Sequence, residues 1–268
     1  MNTPIKTHTH NGHPILVKWD DTHTFAGVHG GKVRACQRLA AGAGGLITAS
    51  SRHSPQAQIV ARIAHAMGIP ARLHMPEGKV TVEMGDVLAH GGEIVQHRAG
   101  YNNVIICRAR GDYLTRTRGL FKDGVKWHLI PFGMECREAM ACTTEQVATL
   151  EPYLDKIKRI VIPVGSGMSA AGLLHGLDEL NWDIPVVGVQ VGADPTKRLN
   201  KYAPTGWRSM LELTHTPLAY SDHVEGSIGG KTLDPVYEAK CLPFLQPGDL
   251  FWVVGIRTIE NKSKKVQD

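Results

Sequence analysis

The 268-residue chain has no apolar run approaching the roughly 20 residues that a transmembrane helix needs. A membrane-spanning protein is not expected. Met1 to His13 is polar and histidine-rich and lacks the apolar centre of a signal peptide, so a cytoplasmic protein is expected. Cysteine is sparse. Cys36, Cys107, Cys136, Cys142 and Cys241 are dispersed, and no two are spaced C-x-x-C. That pattern argues for reduced thiols, against a disulfide framework and against a zinc site. His8, His10 and His13 have a spacing that suits a metal. At a chain terminus the spacing is read as incidental, and no metal is expected. Internal repeats and low-complexity linkers are missing too, as are a Walker loop and a G-x-G-x-x-G fingerprint.

What is present is an ordinary globular composition, 42% hydrophobic and 21% charged. The length allows one large domain or two small ones. A net charge of +5 is compatible with an anionic ligand or with nucleic acid. Short runs rich in Val and Ile predict strands at Ile15–Trp19, Leu46–Thr48, Ala71–His74, Glu93–Gln96, Val104–Cys107, Ile160–Pro163, Val186–Val191 and Leu250–Val254. Helices are predicted at Pro55–Met67, Ser169–Leu180 and Thr143–Leu154. Such alternation implies α/β architecture, with a parallel sheet covered by helices. Ligands in such sheets lie at the carboxyl ends of strands.

Three motifs fall at strand–helix junctions. In Gly30-Gly31-Lys32, two glycines let the backbone approach a flat ligand, and a lysine there can project into a cleft. Burial lowers a lysine's pKa and frees its amine to attack a carbonyl. The plainer reading is a surface lysine after a turn, and Gly229-Gly230-Lys231 shows how readily the tripeptide recurs. The second motif runs from Val161 through Gly165-Ser166-Gly167-Met168-Ser169 to Gly172: a strand, a Gly/Ser turn and a helix. Exposed backbone N–H groups at a helix N-terminus suit a phosphate; a plain serine-capped turn is the alternative. The third motif includes Arg52-His53-Ser54-Pro55-Gln56. Ser54 reads as an N-cap before a proline at the first helical position. Its hydroxyl would also suit a ligand carboxylate.

In this order the motifs resemble the fold-type II pyridoxal phosphate enzymes, of tryptophan-synthase-β-like fold. The nearest branch is that of 1-aminocyclopropane-1-carboxylate deaminase and D-cysteine desulfhydrase. The most specific string is Asp234-Pro235-Val236-Tyr237-Glu238-Ala239-Lys240, and the likeness covers most of the chain, loosest from Lys79 to Thr143. The resemblance implies two subdomains with the cofactor between them, a larger one of residues 1–45 and 145–268 and a smaller one of residues 46–144. It implies pyridoxal 5'-phosphate bound as a Schiff base to Lys32, with its phosphate cradled by Gly165, Ser166, Gly167, Met168 and Ser169. Glu238 would pair with the pyridine nitrogen, which favours a stronger electron sink. Lys32, Ser54 and Tyr237 would be the catalytic residues, Ser54 and Tyr237 facing an amino-acid-like substrate. A homodimer is the family expectation.

The chain departs from that pattern in three places. Pro55 stands where relatives carry an asparagine. The segment His223-Val224-Glu225-Gly226 lacks the tyrosine of the deaminases. Val254-Gly255-Ile256-Arg257 replaces a His-Thr-Gly-Gly pattern. The cofactor pocket is therefore expected to be kept and the substrate groups changed. The first functional expectation is a lyase or deaminase acting on an amino group. A second, implied by a resemblance to phage-borne relatives of this fold, is remodelling, such as decarboxylation or elimination, of an amino acid attached to thymine in phage DNA, with Arg108, Arg110, Arg116, Arg118, Lys122 and Lys126 tracking phosphates. The plainer reading of those cations is a solvated basic face. A third is a non-catalytic binder of the cofactor, against which Lys32 and Glu238 argue.

Overall fold

The computed structural model describes residues 2–98, 102–118 and 124–255. Lys122, Ile256 and Arg257 lie outside the described residues. The chain begins β1 (Ile5–His10), β2 (His13–Trp19), β3 (Thr24–Phe25), β4 (Val28–His29), α1 (Gly31–Ala40), β5 (Gly45–Ala49) and α2 (Pro55–Ala66). It continues β6 (Ala71–Pro76), α3 (Val82–Ala89), β7 (Glu93–His97), α4 (Asn102–Arg118), β8 (Trp127–Ile130) and α5 (Arg137–Val147). Then come β9 (Arg159–Val164), α6 (Met168–Glu179), β10 (Val186–Gln190), α7 (Thr196–Tyr202), α8 (Trp207–Met210), β11 (Leu211–His215), β12 (Ser227–Ile228), β13 (Lys231–Thr232) and β14 (Asp249–Val253).

Two sheets carry the fold. The larger has the order β1-β2-β14-β9-β10-β11 and is parallel except for the β1–β2 hairpin. Its central strands β9, β10 and β14 are buried almost along their whole length. Their near-continuous apolar runs are what two-sided burial demands. The smaller sheet, β7-β6-β5-β8, is wholly parallel. Ile160, Ile162, Leu173, Leu177 and Trp252 centre one core between the larger sheet and α6. Leu46, Ile63, Leu73 and Val33 centre another, which brings α1 and α2 against the smaller sheet. Among the described residues no helix is long and apolar enough to cross a membrane.

The strand expected at Val104–Cys107 is instead part of helix α4. Ile105 and Ala109 are the buried residues of that helix, one turn apart, while Val104 is exposed. Four apolar residues in a row have no period of their own, and burial by every fourth residue decides for helix. The helix expected over Thr143–Leu154 ends at Val147 and continues as 3-10 turns over Ala148–Lys156, with Pro152 inside them. Proline lacks the N–H that an α-helical interior requires.

Candidate functional site

Parallel strands place β2, β14, β9 and β5 so that the segments following each run into one cleft of about 430 Å³. Lys32, Ser54, Gly165, Ser166, Gly167, Met168, Ser169, Tyr237 and Glu238 all line it. The structure thus brings together in one place every residue singled out as catalytic or cofactor-binding.

Lys32 enters from the first turn of α1. Gly30 has φ +102°, and a Cβ there would lie 3.2 Å from the Cα of Gly255. Gly31 donates its N–H to Val254 O at 3.1 Å. Both glycines are therefore fixed by close contact with the chain leaving β14, which only a missing side chain permits. Behind them Asp20 is buried and accepts from Arg34 Nη2 at 2.7 Å and Thr3 Oγ1 at 3.1 Å. This pair ties α1 to the end of β2.

On the opposite wall β9 ends at Val164 and the chain turns through Gly165-Ser166-Gly167 into α6. Gly167 caps the helix with φ +89° and offers no side-chain acceptor to the first turn. The N–H groups of that turn, with the positive end of the helix dipole, form an anion site. Gly165 is small for a reason: a Cβ on it would lie 2.8 Å from Cε1 of Tyr237. Ser54 caps α2, its Oγ accepting from Gln56 N at 3.3 Å, with Pro55 at the start of the helix. The cap and a cleft-facing hydroxyl coexist. Gln56 is committed to structure. Its Nε2 donates to Thr48 Oγ1 and Pro131 O, and its Oε1 accepts from Gly133 N.

Tyr237 and Glu238 are presented by a turn that Asp234 organises, its Oδ1 accepting from Val236 N (2.8 Å) and Tyr237 N (3.0 Å). Glu238 is 1% exposed. Its Oε1 accepts from Val254 N (3.2 Å) and Gly255 N (3.0 Å). Its Oε2 is buried without a hydrogen-bond partner among the described residues. Burial, and then the carboxylate of Asp234, push the Glu238 carboxyl up to about 8. A buried oxygen left unpaired is costly. Here it has the chemistry to meet the ring nitrogen of a pyridine, whether by donating a proton or by accepting one. Donor helix, flat glycine-lined wall, lysine and orphaned carboxyl oxygen together fit pyridoxal phosphate.

Sequence reasoning missed Tyr220 and Asp234 as cleft residues. Asp234 stood inside the quoted string Asp234–Lys240. Tyr220 had no local signal. It lies in a loop just before His223, and its hydroxyl is 3.3 Å from that of Tyr237. None of the described residues of the basic stretch lines the cleft, and the stretch is divided. Arg108, Arg110, Arg118 and Lys126 are exposed, whereas Arg116 is paired with Asp112 at 2.9 Å and lies over the Trp127 ring. His8 accepts from Trp19 Nε1, and His10 meets Leu242 O, so both rings serve the β1–β2 hairpin and its neighbours.

A family model described as "Pyridoxal-phosphate dependent enzyme" matches residues 2–233. An L-threonine dehydratase of Pasteurella multocida is 27% identical over 67% of this chain and 33% of its own length, so the chain spans about a third of that relative. A glycyl-dTMP PLP-dependent decarboxylase of Pseudomonas phage M6 is 23% identical over 95% of this chain and 98% of its own length. The crystal structure of an ACC deaminase homologue superposes with a TM-score of 0.76 at 23% identity, covering 96% of this chain and 90% of that one. That likeness is one of fold.

Proposed function

This chain belongs to the pyridoxal-phosphate dependent enzymes, and we propose that it breaks a bond at the amino-bearing carbon of an amino-acid-like substrate, in the manner of a lyase or deaminase. The observation that carries this reading is the buried, unpartnered Oε2 of Glu238 in the same cleft as Lys32. When bound, pyridoxal phosphate supplies an electron sink for the carbanion left by bond breaking. The N–H groups of Gly167, Met168 and Ser169, with the hydroxyls of Ser166 and Ser169, would hold its phosphate. Lys32 Nζ would hold it covalently, and Glu238 Oε2 would hold the proton shared with the ring nitrogen. Lys32 Nζ, or another base in the cleft, would take or return a proton at the reacting carbon. Ser54 Oγ and the α2 N-terminus would orient the substrate carboxylate, and the Tyr237 phenol would close the wall over Gly165 and exclude water. Borohydride reduction of the cofactor-loaded protein, followed by peptide mapping, tests the assignment. Modification at Lys32 is expected, and modification elsewhere or none overturns it.

A second reading narrows the substrate to an amino acid carried on a thymidine nucleotide. It is supported by the near end-to-end match to the phage decarboxylase, and a carrier nucleotide within DNA would suit exposed Arg108, Arg110 and Arg118. The test is binding of duplex DNA across a salt series, alongside turnover of free amino acids. Binding that is absent or insensitive to salt counts against a DNA-borne substrate.

A further inference from the structure

The mouth of the cleft holds an arrangement that none of the three motifs explains. After β11 the chain crosses to β12 over residues 216–226, and Ala219–Asp222 close a turn. Asp222 N donates to Ala219 O at 3.1 Å, and Ala219 N donates to Asp222 Oδ2 at 2.8 Å. Tyr220 rides on that turn, 49% exposed, and lines the cleft. Its ring stands edge-on to Tyr237, with centroids 5.9 Å apart. Gly192 lets the ring settle, since a Cβ there would lie 3.0 Å from Cδ2 of Tyr220. From beneath, Lys240 is 1% exposed and its Nζ donates to Ala219 O at 2.6 Å and to Tyr220 O at 3.4 Å. Burying an ammonium is costly, and a charge-assisted hydrogen bond is a stronger grip than a neutral one. The grip is applied to the two carbonyls that fix where Tyr220 sits.

We propose that Tyr220 is a specificity-determining residue, a platform for the pyrimidine ring that carries the substrate's amino acid, and that Lys240 is the positioning residue that holds it there. The inference rests on the second reading above. Lys32 and Glu238 mark the reacting end of the cleft, so a carrier group must extend away from them and past the mouth. An exposed tyrosine that is held at its backbone and braced at its hydroxyl presents a ring without first having to order it. Base–aromatic stacking is strong enough that truncating the ring should weaken binding about tenfold.

Thymidine monophosphate is the probe, titrated calorimetrically into the cofactor-loaded protein. Binding is expected for wild type and for Tyr220→Phe, about tenfold weaker binding for Tyr220→Ala, and similar weakening for Lys240→Met with faster hydrogen exchange at Ala219–Asp222. Borohydride fixation at Lys32 is run on every protein. If wild type is fixed at Lys32 but does not bind the probe, or if Tyr220→Ala binds it as wild type does, the inference falls and the cofactor site stands. If Lys240→Met only lowers the melting temperature and leaves probe affinity and exchange unchanged, the role of Lys240 is overturned. If wild type is not fixed at Lys32, the reading beneath the inference has failed.

Discussion

Gly30-Gly31-Lys32 and Gly229-Gly230-Lys231 are the same tripeptide put to different uses. Each relies on glycine at positive φ: +102° at Gly30, +58° at Gly229 and +77° at Gly230. The difference lies in the surroundings. Gly30 and Gly31 are pressed against the backbone of Val254 and Gly255 and against Asp20, whereas Gly229 is pressed against the His8 ring and nothing lies within 4 Å of a Cβ built on Gly230. Lys32 opens a helix and lines the cleft. Lys231 follows a hairpin turn, pairs with buried Asp21 and lies 4.5 Å over the Trp19 ring. The tripeptide makes a turn, and residues distant in sequence decide whether its amine meets a ligand or a carboxylate.

The largest expected effect follows from exchanging each lysine for alanine. Lys32→Ala should lose the borohydride-fixed adduct, and turnover should fall by about 10²–10⁴-fold. Lys231→Ala should keep the adduct. It should instead cost about 1–3 kcal/mol of stability in urea unfolding, because buried Asp21 loses its partner. An adduct that persists in Lys32→Ala and disappears in Lys231→Ala would invert the comparison.

The buried acids near the two lysines sharpen it further. Glu238 Oε2 and Asp21 Oδ1 are both buried without partners among the described residues. Burial raises both carboxyls; Lys231 draws Asp21 back down, while Asp234 pushes Glu238 further, up to about 8. Below the ordinary value of 4.5, folded and unfolded chains both hold the Glu238 proton. Between there and about 8 only the folded chain holds it, so stability of the cofactor-free protein falls as pH rises. The slope is at most about 1.4 kcal/mol per pH unit. Above that window neither state holds the proton, and the penalty is constant. Glu238→Gln should flatten this component, as urea unfolding at intervals across the window would show. A wild-type profile already as flat as the variant's would mean that Glu238 is ionised throughout.

The strands β9, β10 and β14 were legible because two-sided burial writes an unbroken apolar run. Ser54 was legible because a cap before proline is a local signal, and its Oγ does accept from Gln56 N. Val104–Cys107 misled because a short apolar run carries no period. The β1–β2 hairpin was announced by Asn11-Gly12, both at positive φ, and was not read. Tyr220 was not legible at all. Its place is set by Lys240 and Gly192, residues that no pattern near Tyr220 could reveal.

The smallest effects test the turns themselves. Gly30→Ala combines positive φ with a Cβ 3.2 Å from another backbone atom, which cannot yield as a side chain would. It should cost about 1–3 kcal/mol and displace Lys32, so cofactor uptake should slow as well. Gly230→Ala also meets a positive-φ penalty, at φ +77° and in open space. It should cost about 1–2 kcal/mol in thermal or urea unfolding and leave cofactor uptake unchanged. Gly230→Asn should recover most of that loss, because asparagine visits the left-handed region more readily. Recovery at Gly230 with none in Gly30→Asn is expected, because Gly30 pairs φ 102° with ψ 174°, a backbone region that asparagine does not relieve, and faces Gly255 as well. Equal recovery at both would show that neither the backbone region of Gly30 nor its contact with Gly255 demands glycine beside Lys32.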